Sequence, residues 1–67
     1  LARNQEMVGR EVEVLTEGPS RKDPGTATTR TRTNKVVHIA GEFSPGTFLH
    51  ARIERAAPSH LIGRLVP

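Results

Sequence analysis

Apolar and polar residues alternate along much of this 67-residue chain, and a period of two is typical of strands with one buried face. Clusters of glycine and proline separate the alternating stretches, because these residues interrupt regular structure and favour turns. Beyond the first few residues, the sequence shows no helical period. The pattern therefore predicts five strands, at residues 10–15, 26–33, 35–40, 47–55 and 61–66.

The alternation also predicts which residues are buried. Val12 and Val14 share one face of the first strand, and Val37 and Ile39 share one face of the third. The second strand is polar, but its five threonines favour an extended backbone because they are branched at Cβ. The fourth strand alternates most regularly, and its apolar face is formed by Leu49, Ala51 and Ile53.

Five strands joined by short loops predict an all-β fold, a small five-stranded antiparallel barrel. Closure removes the two exposed edges that an open sheet of the same strands would leave. The length allows one domain with a thin core, since only 34% of the residues are hydrophobic. Asn34 is a suitable turn residue between the second and third strands.

The composition excludes several classes of protein. Because the chain has no cysteine, disulfides, thiolate metal sites and iron–sulfur clusters are excluded within these residues. No apolar run is long enough for a transmembrane helix or a signal peptide, so we expect no membrane association and a cytoplasmic location. We expect residues 1–6 to be the end of a polar helix in a longer protein.

Catalytic groups are not apparent in the sequence. The three histidines, His38, His50 and His60, are 12 and 10 residues apart, which favours surface positions over a zinc site. Asp23 is the only aspartate, and no nucleophile motif surrounds a serine. We therefore expect that this segment is not an enzyme by itself and binds no cofactor.

The positive charge is concentrated in one segment. The whole chain has a net charge of +3, whereas residues 21–35 contain five basic residues against Asp23 alone and so carry +4. Such a concentration is expected where a polyanion binds one side of a domain, and a merely solvated surface has the same composition.

A strand through residues 26–33 would place Arg30 and Arg32 on one face, about 6.6–6.8 Å apart along the strand. This spacing is comparable to that of successive phosphates, and guanidinium groups bind phosphate oxygens in a bidentate manner. Thr28 shares this face, and we expect Arg21 and Lys22 to form a mobile basic loop beside it. The alternative is that these side chains only keep the surface soluble. The candidate RNA-binding residues are Arg30, Arg32, Asn34, Lys35, Arg21 and Lys22.

The aromatic residues favour recognition of RNA structure over recognition of single bases. Readout of single-stranded bases uses aromatic platforms, and this chain has only Phe43 and Phe48. We expect Phe48 to pack in the core, which argues against a cold-shock type of OB-fold and against a groove for proline-rich peptides. The remaining possibility is a barrel that binds the phosphate backbone and recognises the overall shape of a nucleic acid. Structured RNA is therefore the expected partner.

Two motifs resemble a known family. They are Glu-Gly-Pro-Ser-Arg-Lys-Asp at residues 17–23 and Arg-Thr-Arg-Thr-Asn-Lys-Val-Val at residues 30–37. With the strand at residues 46–57, they resemble the C-terminal TRAM domain of the tRNA methylthiotransferases, over residues 8–66. The similarity is greatest to members that add a 2-methylthio group to isopentenyladenosine beside the anticodon. The sister family acting on a ribosomal protein typically has an acidic Asp-Ala-Pro-Glu-Ile-Asp-Gly stretch, which this chain lacks.

The resemblance implies a domain division and a partner. Residues 1–7 would be the end of a linker or helix from an upstream radical S-adenosylmethionine domain, and residues 8–67 the TRAM barrel. It implies that the barrel binds the anticodon arm of tRNA, while the 4Fe–4S clusters and S-adenosylmethionine of the whole enzyme are bound upstream. Thr29 departs from the family pattern, since a glycine usually precedes the first arginine of the Arg-Thr-Arg motif. We also expect a monomer.

Two alternatives stay open. In one, the barrel is an interaction module that positions a protein substrate or packs on the catalytic domain through the apolar strand at residues 61–66. In the other, it is a free-standing RNA-binding protein. Titration with tRNA separates the first alternative from the main hypothesis.

Overall fold

The computed structural model describes residues 5–66, which form a closed β-barrel. Its strands are β1 (Glu11–Pro19), β2 (Thr26–Thr31), β3 (Val36–Ala40), β4 (Phe48–Ala56) and β5 (Leu61–Leu65). All five predicted strands are present, which confirms the all-β barrel. Of the predicted linker at residues 1–7, residues 1–4 lie outside the described part. Residues 6–9 form a turn, and Gly9 N–H donates to Ile53 O at 2.7 Å.

The order of strands around the barrel is β1-β2-β3-β5-β4, and β4 pairs with β1 to close it. Every pairing is antiparallel, as predicted, except that β3 and β5 are parallel. An odd number of strands makes this unavoidable, because strand directions cannot alternate all the way around a closed ring of five. The predicted barrel is thus confirmed as mostly antiparallel, with one parallel pair.

Two strand ends differ from the prediction by more than one residue. β1 continues beyond residue 15 to Pro19, and a bulge between Thr16 and Gly18 keeps it paired with β2. Gly18 has a φ of +145°, which a residue with a side chain rarely adopts. β2 ends at Thr31 rather than at residue 33, because the chain turns there. Asn34 has a φ of +67°, which confirms it as a turn residue.

The inward-facing residues of the strands form one apolar core. Its members are Val14, Val37, Ile39, Ala51, Ile53 and Leu61, and the predicted inward residues Val12 and Leu49 pack against them. Thr16 and Thr29 are buried as well, and the Thr29 hydroxyl donates to Val37 O at 2.9 Å. Because its hydroxyl is hydrogen-bonded, the polar side chain of Thr29 can be buried in the core. The barrel therefore accommodates threonine where the family usually has glycine.

Phe48 does not pack in the core, contrary to the prediction. It is 66% exposed, whereas Phe43 packs against the core cluster. The reason is its position one residue before Leu49, because alternation along β4 turns one side chain inward and its neighbour outward. Among residues 5–66, no helix has the length and hydrophobicity needed to cross a bilayer.

Candidate nucleic-acid interface

The connection between β2 and β3 is a tight turn formed by Arg32, Thr33 and Asn34. Asn34 N–H donates to Thr31 O at 2.9 Å, and Thr31 N–H donates to Lys35 O at 2.9 Å. The Thr31 hydroxyl accepts a further hydrogen bond from Lys35 N–H at 3.1 Å. A type I turn followed by one residue in the left-handed region gives this pattern, and Asn34 is that residue. The backbone that carries Arg32 and Asn34 is thus fixed by hydrogen bonds.

Arg30 lies near the end of β2, and two side chains hold its guanidinium. Its Nε donates to Glu17 Oε2 at 2.8 Å, and its Nη1 donates to Asn34 Oδ1 at 3.1 Å. Glu17 is the extra residue of the bulge in β1. The Arg30 side chain is 40% exposed. Among the described residues these contacts use two of the five guanidinium N–H donors, so Arg30 is oriented and retains donors for an anion.

Arg32 lies in the turn and not on β2, contrary to the prediction that it shares a strand face with Arg30. Its side chain is 88% exposed, with Nη2 3.5 Å from Glu13 Oε1. Arg30, Arg32 and Asn34 nevertheless line one shallow depression, which we call the hairpin surface. The structure thus brings three of the predicted residues together, with Lys35 at the base of the same hairpin.

Arg21 and Lys22 lie at the opposite end of β2 from the hairpin surface. Both are exposed in the loop after β1, where the Asp23 carboxylate accepts a hydrogen bond from Gly25 N–H at 3.0 Å. The length of β2, six residues, separates the two groups by about 17 Å. The prediction that this basic loop lies beside the two arginines is therefore not met.

Acidic residues of β1 reach the hairpin surface. Glu13 and Glu17 line the same depression, next to Arg32 and Arg30 respectively. All four side chains are well exposed, so each ion pair contributes only about 0–1 kcal/mol to stability. Their effect on binding is more direct, because a phosphate must compete with a carboxylate for each guanidinium. Part of the positive charge of residues 21–35 is thus neutralised by Glu13 and Glu17, which lie earlier in the sequence.

An apolar pair lies beside the arginines. Leu15 on β1 is the register partner of Arg30 on β2 and of Phe48 on β4. All three side chains line the depression, and they form a row across the outer face of three strands. Sequence reasoning missed this pair, although the signal was present: the alternation that turns Leu49 inward also turns Phe48 outward.

His38 and His60 meet elsewhere, beside the pairing of β3 with β5. Their ring centroids are 4.8 Å apart in an edge-to-face arrangement. Within residues 5–66, His38 Nδ1 is buried and has no hydrogen-bond partner. Burial, and then the nearby His60, lower the pKa of His38. In the same part of the chain, no three side chains of the metal-binding types form a cluster.

Comparison with known proteins places the barrel in a family. The sequence profile of the TRAM domain matches residues 5–66. The tRNA-2-methylthio-N(6)-dimethylallyladenosine synthase of Moorella thermoacetica is 46% identical over 67 residues, which cover 98% of this chain and 15% of that protein. The synthase of the same name from Clostridium perfringens is 46% identical over 65 residues, covering 96% of this chain and 14% of that protein.

A third synthase of this name, from Desulforamulus reducens, is 41% identical over 68 residues, covering all of this chain and 15% of that protein. The chain therefore spans about 15% of the length of the curated relatives it matches. Since the closed barrel and the profile match extend over the same residues, this chain belongs to the TRAM domain family.

Proposed function

We propose that this chain is the tRNA-binding domain of a larger methylthiotransferase and that it holds the anticodon arm of tRNA. The observation that carries the proposal is the hairpin surface, where two arginines and an asparagine lie together in a TRAM barrel. Guanidinium groups bind phosphates through paired N–H donors, and phosphate contacts supply much of the affinity for nucleic acids. The names of the relatives, which are tRNA-modifying synthases, support tRNA as the partner.

The reaction itself would occur elsewhere in the protein. By analogy with the named relatives, the whole protein would add a 2-methylthio group to an isopentenylated adenosine. Its 4Fe–4S clusters and S-adenosylmethionine would be bound upstream, since clusters need cysteine thiolates and these 67 residues contain none. In this proposal residues 1–7 lead out of the radical S-adenosylmethionine domain and residues 8–67 bind RNA as a monomeric unit, in the cytoplasm.

Each predicted residue has a place in this proposal. Arg30 and Arg32 bind neighbouring phosphates, and Asn34 holds the Arg30 guanidinium through its 3.1 Å contact. Arg21 and Lys22 contact a more distant part of the RNA backbone, since about 17 Å separates them from the hairpin surface. Lys35 adds positive charge at the base of the hairpin.

Replacement of both arginines tests the proposal. We expect Arg30→Ala with Arg32→Ala to weaken binding to several different tRNAs to a similar extent, because phosphate contacts carry no sequence information. The slope of log K against log salt should flatten by roughly 0.7–0.9 for each lost contact. Fluorescence anisotropy titrations at several salt concentrations measure both quantities.

Arg52→Ala with Arg64→Ala is the matched control. These two arginines are exposed register partners on β4 and β5, and each pairs with a glutamate. The control removes the same charge and should change the affinity much less. A larger loss of affinity in the control than in the hairpin variant would indicate that the RNA binds at β4 and β5, and it would refute the assignment. Both variants should melt within a few degrees of the parent chain, since exposed substitutions usually change stability by about 0.5 kcal/mol or less.

A second candidate function is docking on the catalytic domain or on a protein substrate. Val8 and Leu65 favour it, because both are large apolar side chains with 43% of their surface exposed. A barrel with this role alone would show no salt-dependent binding of tRNA in the same titration.

A further inference from the structure

Phe48 is unusually exposed for a phenylalanine in a small barrel. Within the described residues, it is more exposed than Val8, Leu15 and Leu65, the other large apolar side chains at the surface. Exposure of a phenyl ring gives up hydrophobic stabilisation, and Phe48 lies outside the core cluster. Stability of the core therefore does not explain its position.

The backbone that presents Phe48 is held firmly. Thr16 N–H donates to Thr47 O at 2.9 Å, and Thr47 N–H donates back to Thr16 Oγ1 at 2.9 Å. The buried Thr16 hydroxyl also donates to Ser44 O at 2.7 Å. These bonds fix the residues just before β4, so the Phe48 ring projects from a well-anchored strand start.

The neighbours of Phe48 combine an apolar surface with positive charge. Leu15 lies between Phe48 and Arg30 in register, which puts the Cα atoms of Phe48 and Arg30 about 10 Å apart, two strand spacings. Arg32 lines the same depression. A nucleotide has the two complementary parts, a flat base with apolar faces and an anionic phosphate.

We infer that one unpaired base of the bound RNA stacks on the Phe48 ring, beside Leu15, while Arg30 or Arg32 holds a phosphate of the same strand. The inference rests on the proposed function and adds that the RNA must present a base outside a helix. Aromatic rings stack on any base, because every base has a π-face. The site therefore selects for an unpaired base and not for a sequence.

A simpler explanation is that Phe48 and Leu15 form a cross-strand pair that only stabilises the pairing of β1 with β4. Both explanations predict some loss of stability when the ring is removed. Only stacking predicts that the ring distinguishes RNA with unpaired bases from fully paired RNA.

Two RNAs with the same stem separate these explanations. One is a stem–loop with 2-aminopurine in the loop, and the other is a duplex of the stem with no unpaired base. Phe48→Leu keeps an apolar side chain beside Leu15 and removes the aromatic face. We expect it to weaken binding of the stem–loop by roughly 5- to 150-fold, the range for one stacked base, and to leave duplex binding unchanged. Phe48→Trp should retain stem–loop binding.

The fluorescence of 2-aminopurine gives an independent readout. It should respond to binding by the parent chain and by Phe48→Trp, and should not respond to Phe48→Leu. Leu65→Ala is the matched control, because it removes an exposed apolar side chain from β5, which pairs with neither β1 nor β2. Binding of both RNAs should be unchanged in this control.

The outcomes separate this inference from the proposed function. If Phe48→Leu binds both RNAs as the parent chain does, or weakens both equally, stacking is refuted while the phosphate contacts stand. If the parent chain binds neither RNA, the proposed function fails, and stacking fails with it. Circular dichroism checks that each variant is folded. Should Phe48→Leu unfold, loss of stem–loop binding or of the fluorescence response in a folded Phe48→Trp refutes stacking.

Discussion

Arg30 is the residue on which the candidate site depends most, and Glu17 acts on it in two opposite ways. The carboxylate accepts the Nε hydrogen bond at 2.8 Å and so orients the guanidinium. Its negative charge also opposes the approach of a phosphate to the same group. Both side chains are exposed, so the charge effect depends on the salt concentration.

Neutralisation of Glu17 should strengthen RNA binding. Glutamine in its place still offers an oxygen to Arg30 Nε but no longer repels phosphate. We expect Glu17→Gln to bind tRNA about two- to fivefold more tightly at low salt, in line with the strength of one exposed ion pair, and the gain should shrink as salt is added. Titration by fluorescence anisotropy measures the change.

Glu54→Gln is the control for this experiment, because Glu54 lies on β4 and pairs with Arg64. An equal gain in the control would mean that only net charge matters. Weaker binding by Glu17→Gln would mean that orientation of Arg30 outweighs repulsion.

The same residues show what a sequence can predict about a site. Arg30, Arg32 and the turn at Asn34 follow from local patterns, since residue type and turn preference are properties of short stretches. The contacts of Glu13 and Glu17 with these arginines do not. They depend on the register between β1 and β2, including a bulge at Glu17 that local alternation does not specify.

At the scale of elements, one buried hydroxyl joins β1 to the segment that precedes β4. Thr16 Oγ1 accepts from Thr47 N–H and donates to Ser44 O, which also accepts from the Thr47 hydroxyl at 2.7 Å. The Ser44 carbonyl therefore keeps a partner if the Thr16 hydroxyl is lost, whereas Thr47 N–H loses its acceptor.

Thr16→Val should therefore destabilise the barrel through one unsatisfied donor. Valine keeps the shape of the side chain, so no cavity forms, and the expected loss is about 1–3 kcal/mol in the free energy of unfolding. Urea unfolding followed by circular dichroism measures it. Thr28→Val, on the outer face of β2, is the control and should change the value by about 0.5 kcal/mol or less. Equal effects of the two substitutions would show that the Thr16 bonds contribute nothing specific.

The elements were predictable in number and in buried face, since alternation is a strong signal in β3 and β4. The ends of the strands were less predictable. β1 runs on through Gly18 because a bulge accommodates it, and β2 stops at Thr31 because the hairpin closes there. Both depend on pairing with a neighbouring strand rather than on the sequence of the strand itself.

At the scale of the whole molecule, the parallel pairing of β3 with β5 brings two histidines together. His38 is the register partner of Ile62, and it packs edge-to-face with His60. Glu54 and Arg64 line the same surface cavity. The pKa of His38 lies below the ordinary histidine value of 6.5, chiefly because of burial.

This lowered pKa predicts a loss of stability in mild acid. Well above pH 6.5 His38 is neutral in both the folded and the unfolded chain, and it has no effect on stability. As the pH falls below 6.5, the unfolded chain takes up the proton more readily than the folded one, so the free energy of unfolding decreases. The decrease levels off once the pH is below the pKa of the folded state. Urea unfolding between about pH 8 and about pH 5 should show this decrease.

His38→Gln isolates the contribution of this histidine. The variant should lose much of the pH dependence over the measured pH range. The same decrease in His38→Gln and in the parent chain would show that another group is responsible.

Closure of the barrel through β5 has a consequence for the newly made chain. β5 pairs with β3 on one side and β4 on the other, so the ring closes only after all five strands have been synthesised. Until then β3 and β4 each present an open edge, at which a strand of another molecule can add. Pairing between distant parts of the chain is also slow. A nascent chain whose synthesis stops just before Leu61 is therefore the form most prone to pairing with another molecule. Pairing of β5 with β3 and β4 removes both open edges.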